Sequence, residues 1–153
     1  SITNQELTLK DNDEIVRIYK ISSSKFGEGS EEDSYKTPLG KHEIKKMIGE
    51  GIALGGRFIG RVHTGEIFPI YSNQEIYVEE DVVQSRILWL SGLEDKLNKG
   101  EGVDSFSRYI YIHGTPEEWL LGTKASKGCI RMSNKDVIDL FDKVHEGMIV
   151  NIK

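Results

Sequence analysis

Only one segment of this 153-residue chain, Asn134 to Val144, repeats its apolar residues at a helical spacing; elsewhere they fall in short β-branched runs broken by glycine. That contrast points to a mostly β fold with one packed α-helix near the C-terminus. Ser133 stands where an N-cap belongs, with Asp136 three residues on. Val137, Leu140, Phe141 and Val144 share a face, and Gly147 follows the end. Strands are predicted at Glu14–Ser22, where Ile15, Ile18 and Ile21 alternate imperfectly with polar residues, at KHEIKKMI, and in VVQSRILWLSGLE, a buried run ending in a turn or short helix. RYIYIHGT, Arg108 to Thr115, is the strongest strand pattern, and GMIVNIK closes the chain as another. The glycine-rich GEGIALGGRFIGRVHTGEIF suits short strands joined by turns. Between Ser22 and Gly40, serines, glycines, acids and a proline predict a long exposed loop. There is no repeat or linker, so one domain over residues 1–153 is expected.

The charge balance narrows the function. A formal net charge of -5 argues against a general nucleic-acid binder, which needs a basic surface to displace counterions. No apolar run approaches the roughly 20 residues that cross a bilayer, and SITNQELTLK lacks the basic and apolar regions of a signal peptide. The chain begins with Ser rather than Met, as either removal of a leader or trimming of the sequence would leave it. GEGIALG, with Gly49, Gly51 and Gly55, is loosely like a dinucleotide loop but opens no βαβ unit. No phosphate-binding P-loop or zinc helix is present, and Lys135 stands six after the cysteine where a phosphatase loop places Arg. Neither cofactor nor metal is expected. The acids Glu31, Glu32 and Asp33 read as a solvated loop face.

Cys129 is the only cysteine, so it makes no internal disulfide and no multi-cysteine zinc site. It lies in ASKGCIRM, where Gly128 permits a tight turn and Lys127 and Arg131 supply positive charge. If Gly128 and Cys129 aim their N–H groups into one pocket, they could hold the oxyanion formed when a thiolate attacks a carbonyl. The base would be a histidine. Of His42, His63, His113 and His145, only His113 ends an apolar strand; His42 and His145 sit where a solvated histidine needs no explanation, and His63 lies in a glycine-rich turn region. A lone cysteine is equally a small buried hydrophobe, and His113 a satisfied core residue. Residue types alone leave both readings open.

The spacing carries more. IHGT at Ile112–Thr115, followed by SKGCIRM at Ser126–Met132 with His113 and Cys129 sixteen positions apart, resembles the signature of the L,D-transpeptidase catalytic domain family. TPLGKHEIKKMIGEG resembles that family's Thr-Pro-x-Gly strand region, and GRVHTGE, RILWLSGLE and RYIYIHGTPE look like segments of its Gram-negative bacterial members. The resemblance runs from about residue 13 to the end. It implies a β-sandwich or barrel in the bacterial envelope or periplasm, acting on peptidoglycan stem peptides. Cys129 would attack the carbonyl before a D-residue and release D-alanine, and an amine would then take the acyl group. That acceptor would be a second stem peptide, a lipoprotein lysine or a D-amino acid.

Carried over residue by residue, Cys129 would be the nucleophile and His113 the base, with the Gly114 carbonyl orienting the imidazole. Ser126 would shape the loop, and Gly128 and Cys129 would hold the oxyanion. Arg131 would support the site or meet a substrate carboxylate, with a structural salt bridge as the alternative. Lys127 departs from the pattern, since many members have a histidine there. It would lower the thiol pKa, bind a carboxylate, or point into water. Two rivals remain: an L,D-carboxypeptidase or amidase that gives the same acyl-enzyme to water, and a non-catalytic peptidoglycan-binding module.

Overall fold

The computed structural model describes residues 1–153 and contains nine strands, one α-helix and a 3-10 turn at Glu118–Leu120. β1 (Glu6–Asp11) and β2 (Glu14–Lys20) form an antiparallel hairpin. Asn12 and Asp13, both at positive φ, make its turn, where Asn and Asp tolerate the left-handed region better than other side chains. β1 lies in a segment read above only for its lack of a signal peptide. The expected strand at Glu14–Ser22 ends as β2 at Lys20. Its alternation misleads about burial: Ile15, Val16 and Ile18 are exposed, while Tyr19 and Ile21 are buried.

The larger sheet runs β5 (Val62–Ile67), β4 (Gly56–Ile59), β6 (Val83–Gly92), β3 (Gly40–Ile48), β9 (Ile149–Ile152). β7 (Tyr111–Gly114) pairs antiparallel with β6, and β8 (Ile130–Met132) pairs parallel with β7. β6 is central and almost wholly buried, as its continuous apolar run predicts. The fold is mostly β, in agreement with the sequence.

Side-chain alternation along β6 and β7 splits the interior in two. Leu88, Leu90, Ile110 and Ile112 join Ile44, Ile130 and Met132 in the main core, which α1 (Asn134–Lys143) covers with Val137, Leu140 and Phe141. Ile87, Trp89 and Tyr111 point the other way and pack with Phe58 and Cys129. The helix begins as expected, Ser133 Oγ accepting from the Asp136 N–H at 3.1 Å, and stops at Lys143 with Val144 as its cap.

Three expectations are corrected. The segment Ser22–Gly40 is not simply exposed: Ser22, Ser23, Ser24 and Thr37 are fully buried, because they bond to the cysteine loop. His42 is not solvated but buried, its Nε2 2.8 Å from Ser105 Oγ and its Nδ1 3.0 Å from the Gly40 carbonyl. The strand expected over Arg108–Thr115 is ordered as β7 only from Tyr111 to Gly114, since Asp104 bonds the Gly100 and Ser107 N–H groups and holds the preceding residues in a turn.

Candidate active site

Cys129 sits immediately before β8, on a loop that Gly128 enters at φ +126°, a conformation L side chains rarely adopt. The buried segment corrected above forms the floor of this loop. Thr37 Oγ1 donates to the Gly128 carbonyl at 3.0 Å and accepts from the Ser24 N–H. Lys25 N–H donates to the Ser126 carbonyl, and Ser22 and Arg131 exchange two backbone bonds at 2.9 Å each. Ser126 Oγ donates to the Cys129 carbonyl at 2.6 Å.

The thiol itself has two backbone neighbours, the Tyr111 N–H donating to Sγ and Sγ–H donating to the Tyr109 carbonyl, each at 3.3 Å. Burial pushes its pKa up to about 12, and the Asp81 carboxylate acts in the same direction. The Tyr111 N–H and the cations Arg108 and Arg131 oppose them. At neutral pH the group is therefore a thiol, inert until a base takes its proton.

His113 lies on β7, two residues beyond Tyr111 and so on the Cys129 face of the strand. It is fully buried, and its Nδ1–H donates to the Gly114 carbonyl at 2.7 Å. A carbonyl only accepts, so this bond assigns the tautomer and leaves the Nε2 lone pair free. Nε2 is buried and has no partner. Burial holds the imidazole pKa below its ordinary value; the Asp81 carboxylate and the Gly114 bond raise it, and Arg131 lowers it. Gly114 is required by packing, since a Cβ would come within 2.5 Å of Asn134 Oδ1 and 2.7 Å of the Gln84 carbonyl. That contact fixes the carbonyl on which His113 rests.

The other predicted residues divide. The Gly128 N–H is turned onto Ser126 Oγ at 3.3 Å, whereas the Cys129 N–H makes no backbone bond, so of the two only Cys129 presents an unused donor. Arg131, 5% exposed, spends Nη1 on the buried Glu117 carboxylate at 2.8 Å, the structural ion pair weighed above. Lys127 is exposed and lines a cavity of about 420 Å³ with Lys25, Lys124, Asp81, Glu117 and Arg131. The cations acting on the thiol are Arg108 and Arg131.

Sequence reasoning missed Thr37, Tyr109, Asp81 and Glu117. Thr37 falls at the end of the segment read as an exposed loop and in the TPLG stretch quoted only for the resemblance, and Tyr109 acts through its carbonyl, which carries no side-chain signal. Glu117, four residues after His113, was visible only as an acid near the motif. No group of three or more His, Cys, Asp or Glu side chains is placed to hold a metal ion.

Comparison with known proteins identifies the family of the chain. A family model described as the YkuD L,D-transpeptidase catalytic domain matches residues 1–152. A Bacillus subtilis (strain 168) protein named as the L,D-transpeptidase YkuD is 51% identical over 49 residues, 31% of this chain and 30% of its own length. Among solved structures, an L,D-transpeptidase from Mycobacterium smegmatis superposes with a TM-score of 0.56 at 15% identity, covering 99% of this chain and 55% of that one. L,D-transpeptidase 3 from Mycobacterium tuberculosis, solved with a faropenem-derived adduct, gives 0.58 at 15% identity, with 99% and 57% covered. An L,D-transpeptidase from Xylanimonas cellulosilytica gives 0.53 at 18%, with 99% and 57% covered. At such identities the structural likeness speaks for the fold, and the chain spans little more than half the length of those structures. The match of the family model over residues 1–152 shows that the chain belongs to the L,D-transpeptidase catalytic domain family.

Proposed function

We propose that this domain is a cysteine acyltransferase acting on peptidoglycan stem peptides in the bacterial cell envelope, with Cys129 as nucleophile and His113 as base. The observation that carries the reading is the buried, unpartnered Nε2 of His113 on the same sheet face as Cys129. A buried lone pair left without a donor is costly, and the thiol proton, on turning from the Tyr109 carbonyl, would be a donor for it.

In the first half-reaction Nε2 takes the Sγ proton and sulfur adds to the carbonyl carbon before the D-residue. The oxyanion faces the Cys129 N–H. The C–N bond then breaks, the leaving D-amino acid takes the proton back from His113, and a thioester remains on Cys129. An amine attacks that thioester, giving its proton to His113; a new amide forms, the C–S bond breaks, and the thiol is restored. Burial favours the protonated form of the resting thiol, so attack depends on proton transfer to His113.

Intact mass spectrometry with a disaccharide-tetrapeptide tests the proposal. Wild type is expected to carry an acyl adduct lacking D-alanine, and Cys129→Ala none. Adding amines should yield cross-linked product; a tripeptide alone would assign the hydrolase reading. Faropenem, which left an adduct on the Mycobacterium tuberculosis neighbour, is expected to acylate Cys129 as well. A folded protein that forms no adduct with either compound would overturn the proposal and favour a binding module.

A further inference from the structure

The two-residue turn between β4 and β5 places Gly60 and Arg61 at φ +55° and +68°. Such turns favour glycine, and a side chain in the left-handed region is strained. Arg61 holds that conformation with its guanidinium 4.9 Å from the ring centres of both Trp89 and Tyr109, while Nη1 donates to the Tyr111 hydroxyl at 3.1 Å. Tyr109 and Tyr111 are the residues whose backbones hold the Cys129 thiol, so the guanidinium lies one tyrosine side chain from the reacting sulfur.

No carboxylate answers this charge. The ion pairs of the protein engage Arg17, Arg57 and Arg131. Arg86 and Arg108 instead spend their donors on backbone carbonyls. Arg61 uses one of its five N–H donors, and that on a phenol. A second cation without a carboxylate partner, Lys46, lies 5.4 Å from the same Trp89 ring centre and 5.9 Å from that of Phe106. Both cations lie against the same indole with no acid paired to them, and a carboxylate is the ligand that answers such a charge.

We propose that Arg61, backed by Lys46, is a carboxylate subsite beside Cys129 that binds the free terminal carboxylate of the peptide being processed. The assignment rests on the reading of Cys129 as an acyltransfer nucleophile. The aromatic rings hold the face of the guanidinium and leave its N–H edge for a planar carboxylate.

Two stem tetrapeptides of one sequence, ending in a free carboxylate or its amide, test this against wild type, Arg61→Gly and Arg61→Lys. Arg61→Gly is expected to fold, because glycine is what the turn favours. Wild type should show a KM about 10–100-fold lower for the acid than for the amide, the worth of a charged hydrogen bond. Arg61→Gly should raise KM for the acid to that for the amide with kcat unchanged, and Arg61→Lys should recover part of the preference. An acid preference that survives in Arg61→Gly would overturn the subsite while leaving acyltransfer intact. If wild type turns over neither peptide, the acyltransfer reading fails, and the Arg61 Nε–H resonance of the Cys129→Ala protein decides the subsite alone. A shift with the acid and none with the amide supports it; no shift with either rejects it.

Discussion

Arg131 is a cation almost wholly withdrawn from water, and Glu117 is the carboxylate that pairs it. Glu117 Oε2 also accepts from the Val78 N–H at 3.1 Å, so this one side chain links the cysteine strand to the segment bordering the cavity. Such a pair adds little net stability, but removing one member strands the other charge. Glu117→Ala is therefore expected to cost about 3–5 kcal/mol in denaturant unfolding, and Glu117→Gln distinctly less because its amide oxygen still accepts from Arg131. Equal losses for the two would show that the retained acceptor contributes nothing and that the charge alone carries the effect. The motif named Arg131 as part of the site; that a buried acid already holds it follows only from the chain path through Thr115–Glu117.

Among the elements, the buried segment around Ser24 and Thr37 and the helix α1 both touch the catalytic strands, with different consequences. Thr37 bonds the carbonyl of the residue before the nucleophile, whereas Ser133 caps a helix on the main-core side. Thr37→Val leaves the Gly128 carbonyl and the Ser24 N–H without their buried partner, costing about 1–3 kcal/mol, and should also slow faropenem acylation of Cys129. Ser133→Ala is expected to cost about 1 kcal/mol of stability and leave the acylation rate unchanged. Equal effects on acylation would mean that the loop floor does not position the thiol. The helix was legible because its cap and its apolar stripe are local; the floor was not, because serine and threonine look the same in a solvated loop as in a buried one.

For the whole molecule, two buried neutral imidazoles make stability depend on acid. Burial holds both His42 and His113 below the ordinary 6.5, so as pH falls below that value the unfolded chain binds protons that the folded chain resists. Stability should decline as pH drops from 6.5 towards 4.5, before the carboxylates held low, Glu28, Asp104 and Asp139, begin to lose theirs at and below 3.8–4.5. Urea unfolding at several pH values in that window checks this, and His42→Gln, outside the catalytic site, should flatten the slope; an unchanged slope would contradict the assignment to His42. The class of the fold, the single helix with its cap, and the candidate pair His113 and Cys129 are legible from residue order, because each is written in local periodicity or in a short motif. Only long-range contacts leave Nε2 unpartnered, pair Arg131 Nη1 with Glu117, bring Ser22–Ser24 and Thr37 under the cysteine loop, and carry Arg61 to the tyrosines around the thiol. Those facts depend on contacts between residues as much as 109 positions apart, Ser22 and Arg131, which no local pattern encodes.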